Sequence, residues 1–152
     1  MEQLAIGFLL GVLTAGIGAV FQHQITTGAR GRAIRRALLA EVEENVERIG
    51  PADRSRAPAA VERSAWNLAR ELTLPDEVLE KLRKAYAAGA DLNSRIGIVD
   101  ALLGAAVSVD PGSEAGRQFS RHQKATVDGS FDSANIARGH FEAARDALRR
   151  LA

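Results

Sequence analysis

The sequence has no cysteine, and tryptophan, tyrosine and methionine occur once each among its 152 residues. Without thiols there is no disulfide framework, no thiolate nucleophile and no Cys-ligated zinc. Neither charge sign dominates: 20 Lys and Arg face 19 Asp and Glu, a net charge of +1. Residues 50–152 carry 15 basic and 14 acidic side chains, so the concentrated basic face of a nucleic-acid binder is missing and no nucleic-acid partner is expected. No phosphate loop, HExxH or nucleophile elbow occurs, nor any N-x-Ser/Thr sequon. Arg outnumbers Lys 17 to 3, a bias that a G+C-rich coding sequence explains before phosphate binding does.

Charge is also absent locally. Leu4 to Phe21 (LAIGFLLGVLTAGIGAVF) holds 18 residues with no charged side chain and one hydroxyl, at Thr14. As a helix it would rise about 27 Å, enough for a thin hydrocarbon core. A cleaved signal peptide needs a basic stretch before the run, where only Met1, Glu2 and Gln3 stand. A buried core helix is the other alternative. A transmembrane anchor over 1–28 is the reading adopted.

Behind the run, Arg30, Arg32, Arg35 and Arg36 precede the first acid, Glu41. Short Lys/Arg-rich flanks stay cytoplasmic. The expectation is a single-pass protein, N-terminus outside, with a cytoplasmic domain over 29–152. The same arginines would touch anionic lipid headgroups. Within the run, Gly7, Gly11, Ala15 and Ala19 recur every fourth residue, and Gly18 follows Gly11 by seven. Such a bare face lets two helices approach closely, which makes a homo-oligomer one expectation and ordinary membrane-helix composition the other.

The rest reads as helical. Leu39, Val42, Val46 and Ile49 fall 3-4-3 apart in a juxtamembrane helix over 30–49, ended by Gly50-Pro51. A second helix is expected over 59–72, with Trp66 beside its apolar face. From Val78 through Leu82, Ala85, Gly89, Leu92, Ile96, Val99 and Leu103 to Ala106 the spacing alternates four and three without resetting at AAGAD. That predicts one long helix over 75–107, with a bend at Gly89 as an option. Asp110-Pro111-Gly112-Ser113 is a turn, with Ser113 placed to cap the next helix. Residues 114–127 make a marginal helix, DGSFDS (128–133) a turn, and 133–151 a last helix facing inward through Ile136, His140, Ala144, Ala147 and Leu151. The fold class expected is all-α, an antiparallel bundle of three or four helices over 59–151 beneath the anchor.

Candidate chemistry is sparse. His122 and His140, with Asp128 and Asp132 between them, match no ligand pattern, and a half-buried His140 is the simpler reading. Glu41, Glu43, Glu44 and Glu47 straddle two helix faces and read as solvated surface. Asn45 and Asn93 interrupt apolar faces as candidates for buried polar groups that fix register. Trp66 and Tyr86 are candidate core or partner anchors. No catalytic, cofactor or metal residue is assigned. The layout, with LLAEVEEN after the apolar run and LPDEVLEKLRKAY opening the long helix, resembles small bacterial membrane proteins, which implies an inner membrane. The expected function is a non-enzymatic, membrane-anchored interaction or scaffold module, binding the bilayer and itself or another membrane-associated protein. A pore-forming effector with a cytoplasmic sensor domain is the alternative.

Overall fold

The computed structural model describes residues 28–51, 55–69, 72–106 and 109–151, and every regular element among these residues is an α-helix. They are α1 over 28–49, α2 (Ser64–Ala69), α3 (Asp76–Ala106) and α4 (Glu114–Arg149). The apolar run 4–21, with Gly7, Gly11, Ala15, Gly18 and Ala19, lies outside the described residues. Among those described, no helix is long and apolar enough to cross a membrane.

Three long helices share one core. α1 buries Leu38, Val42 and Ile49, with Asn45 on the same stripe. α3 buries Val78, Leu82, Ala85, Gly89 and Leu92, the first five positions of its four-three pattern, in an unbroken helix. α4 contributes Ala134, Ala137, Phe141, Ala144 and Leu148, mostly small residues that let its neighbours come close. At Gly89 a Cβ would lie 2.5 Å from Val61 Cγ2 and 3.2 Å from the Phe141 ring, so only a bare Cα fits between those side chains.

Directions follow from paired residues. Along α3, Tyr86, Asp91 and Arg95 meet Phe141, Ser133 and Gly129 in descending order, so α4 runs antiparallel to α3. Glu43 pairs with Arg149, and Val46 shares a surface recess with Arg138, so α4 opposes α1 as well. α1 and α3 are therefore parallel, which departs from a wholly antiparallel bundle. The connection between them, residues 50–75, carries the chain back to the starting end. Gly50 takes a positive φ of 81° to leave α1, and Arg56 and the Ala59 N–H then donate to the Glu47 and Arg48 carbonyls that the helix end leaves open.

Two further expectations need correction. The second helix is six residues rather than fourteen, because 57–63 is held without helical structure by side chains from α1 and α3. The turn expected at 128–133 is mid-helix. Two of its residues serve the contact with α3, Ser133 donating to Asp91 and Gly129 lying against Arg95, while Ser130 donates to the Val127 carbonyl within α4. The buried stripe of α4 keeps Ala144 and Ala147 as expected and takes in Ala137, Phe141 and Leu148 beside them, leaving Ile136 60% exposed. The Asp110–Ser113 turn stands as read, with Ser113 Oγ accepting from Gly116 N at 2.9 Å.

Beyond Leu92 the core thins. Among the described residues α3 and α4 continue as a two-helix hairpin without a third layer, and Ile98 and Leu103 stand about half exposed. Substitutions of glycine should divide accordingly. Gly89→Ala is expected to lower stability by about 1–2 kcal/mol despite its better helix propensity, through overpacking. Gly97→Ala and Gly104→Ala, with nothing within 4 Å of the added Cβ, should each raise it by about 0.5–1 kcal/mol in thermal or urea unfolding.

Candidate functional site

Two side-chain constellations stand out, one buried and one at an end of the bundle. The buried one surrounds residues 61–66. Asn45 on α1 donates to the Glu62 carbonyl and accepts from its N–H, both at 2.8 Å. Asn93 on α3 treats Val61 in the same way, at 3.0 and 2.8 Å. The N–H and C=O of one residue in an extended chain point to one side and those of the next to the other. The strap therefore lies between α1 and α3 and is gripped from both sides, as a central strand is by its neighbours.

Glu41, one turn before Asn45, completes the arrangement. Its carboxylate accepts from Ala65 N at 2.6 Å, Trp66 N at 3.2 Å and the Tyr86 hydroxyl at 2.5 Å. The residue before α2 is Arg63, which has no acceptor for the open N–H groups of the first turn. Glu41 supplies that acceptor from another helix. It is 8% exposed, which corrects its reading as solvated surface. The other three acids do not join it: Glu43 pairs with Arg149, and Glu44 pairs with Arg48.

Tyr86 and Trp66 close the cluster. Their rings stack at 5.0 Å and 10°, and Tyr86 meets Phe141 edge-on at 5.2 Å, joining α2, α3 and α4 through aromatic contact. Tyr86 is buried and Trp66 half-buried against the core. Burial, reinforced by the hydrogen bond to Glu41, drives the Tyr86 hydroxyl far above the usual phenol range. This constellation satisfies buried polar groups, and Glu41 and Ala65 also border a surface recess with Ala37 and Leu68.

The histidines and aspartates weighed for chemistry all fall on α4. His122 and His140 are eighteen residues apart on that single helix, about 27 Å along its axis, so they do not meet. Among the described residues no group of three or more His, Asp or Glu is placed to hold a metal ion.

The second constellation is a recess of about 260 Å³ where α1 begins and α4 ends, lined by Arg32, Arg35, Arg36, Leu39, Leu148 and Leu151. At 100° per residue, positions 32, 35, 36 and 39 share one side of α1, whereas Arg30 points some 160° away from Arg32. The structure thus gathers three of the four arginines and separates the fourth. Nothing in the sequence could show that Leu148 and Leu151 join them, because that contact crosses more than a hundred residues. Asn45 was legible as a polar interruption of an apolar stripe, whereas Glu41 looked like its solvated neighbours Glu43, Glu44 and Glu47.

No family model matches this chain, and neither curated proteins nor solved structures contain a similar one at a significant level.

The buried cluster makes two solution predictions. Tyr86 is the one tyrosine, so tyrosinate absorbance reports it alone. A folded-state phenol raised above its unfolded value near 10 contributes stability that is complete below that pH and lost as pH rises past it. No tyrosinate signal should therefore appear until the helical circular dichroism is lost above about pH 10. Glu41→Ala, which strands two backbone N–H groups and a phenol, should cost about 3 kcal/mol, and Tyr86→Phe about 1–2 kcal/mol, by urea unfolding.

Proposed function

We propose that this chain is a membrane-anchored helical module that acts without catalysis, by self-association on the cytoplasmic side of the membrane. The observation that carries the reading is the unpaired apolar stripe of the α3–α4 hairpin. The four-three pattern of α3 continues through Ile96, Val99 and Leu103 to Ala106, yet among the described residues full burial ends at Leu92, and Ile96, Val99 and Ala106 are half-buried. On that stripe Leu103 is 51% exposed, and Ile98 on another side of the same helix is 49% exposed. A second hairpin packed against the first would supply the missing layer and complete a four-helix arrangement.

The charged surface fits the same reading. Lys81 with Glu77 and Lys84 with Glu80 form i,i+4 pairs along α3, which solvate its outer face and leave the apolar stripe as the adhesive one. The anchor is the apolar run 4–21, and the arginines from Arg30 to Arg36 set its orientation. Gly7 and Gly11 offer a second contact within the membrane.

Because the chain has no cysteine, single Cys substitutions report contacts without background. Leu103→Cys in the full chain, treated with a short bis-maleimide in native membranes, should give a crosslinked dimer. Leu103→Glu should abolish self-association measured independently by pull-down between two differently tagged copies. Loss with Gly7→Leu and Gly11→Leu, but not with Leu103→Glu, would move the interface into the span. A chain monomeric in every arrangement overturns self-association. Recovery in the supernatant after carbonate extraction overturns the anchor.

A further inference from the structure

We infer that the recess between the start of α1 and the end of α4 binds the headgroup of an anionic phospholipid. Arg32, Arg35 and Arg36 would take the phosphate, and Leu39, Leu148 and Leu151 the glycerol and first acyl carbons. The inference rests on the anchor reading and deepens it, from a diffuse basic flank to a shaped site.

Charge is the first argument. Among the described residues no carboxylate lies within ion-pair distance of these three arginines, whereas Arg48, Arg95, Arg145 and Arg149 each have one. The Arg35 Nε makes one long contact of 3.4 Å to the Gly31 carbonyl on its own helix. Three other recesses on the described surface each bring an acid to their lining: Glu44 and Glu47 beside Arg48 and Arg56, Glu47 beside Arg56 and Arg138, and Glu41, Glu44 and Glu62 without a cation. Among the described residues, the charged groups lining the recess at the α1–α4 end are cations alone. Guanidinium groups suit phosphate because their forked donors match its oxygens.

Composition of the wall is the second argument. A site for a free phosphate is served by polar donors throughout, but half of this lining is leucine, and Leu151 at the rim is 36% exposed. Cations above an apolar floor match a molecule with a charged head and a greasy body. Position is the third. The recess opens at the end of α1 nearest the apolar run, where Phe21 precedes the first described residue by seven. Bilayer phospholipid is the amphiphile present there at high concentration, and an anionic headgroup adds the charge complement.

The full chain, purified in a neutral detergent, would be examined by native mass spectrometry with phosphatidylglycerol or phosphatidylcholine added. At least tenfold greater retention of phosphatidylglycerol is expected, with unchanged retention when millimolar inorganic phosphate is present. Arg36→Gln and Leu151→Asp should each reduce that retention about tenfold with helical content intact. Arg30→Gln, which removes the same charge outside the recess, should change it less than twofold. Equal losses for Arg30→Gln and Arg36→Gln overturn the site in favour of diffuse attraction. Displacement by inorganic phosphate overturns the lipid as occupant, and equal retention of the two lipids overturns both charge and site. Carbonate extraction reads the anchor separately: an extractable chain that still prefers phosphatidylglycerol removes the anchor and keeps the recess, and a membrane-resistant chain without the preference does the reverse.

Discussion

The fold depends on how a short extended segment is satisfied inside a helical core. Val61 and Glu62, with the first turn of α2 behind them, bring backbone donors and acceptors between α1 and α3, and each group left unpaired where it is buried would cost about 1–3 kcal/mol. Asn45, Asn93 and Glu41 answer for Val61, Glu62, Ala65 and Trp66. These six bonds fix the separation of the two parallel helices and their register. They also explain a feature that helix packing alone leaves open, since parallel neighbours need a long return connection, and here that connection becomes part of the core. Val61 enters the space over Gly89, so polar satisfaction and close packing occur at the same point.

How much could be read from the sequence depends on the range of the interactions involved. The four-three spacing of α3 and the Ser113 cap are local, and both appear in the fold as their residues suggest. The second helix and the 128–133 turn depart from local expectation for one reason. Serine, glycine and aspartate favour turns locally, but at 128–133 they serve a neighbouring helix, and at 59–63 a helix-compatible stretch is pulled straight by two amides. Tertiary bonds overrode propensity in opposite directions. Asn45 and Asn93 were visible as interruptions, yet their partners, 17 and 32 residues distant, were not.

The candidate surfaces divide in the same way. The arginines announced themselves as a cluster, and helical period alone turns Arg30 away from the other three, but the leucines that join those three appear only when α1 is placed against α4. Glu41 and the neighbouring acids looked alike in sequence. One turns inward and the others reach solvent or a cation, because α1 exposes one side to the strap and another to water. The hairpin tip presents the converse case. Its apolar spacing is indistinguishable from that of the core half of α3, and only the arrangement of the other helices shows where cover ends.

The order in which the chain is made gives the core a temporal side. Leu38, Val42, Leu82 and Leu92 share one buried core with Phe141 of α4. Leu38 leaves the ribosome 103 residues ahead of Phe141. At about 5–20 residues per second, α1 waits roughly 5–20 s with its apolar stripe uncovered. The two asparagines and the glutamate can seat the strap during that wait, since all their partners precede α4. A half-built domain would then hold its place while its last helix is still being synthesised.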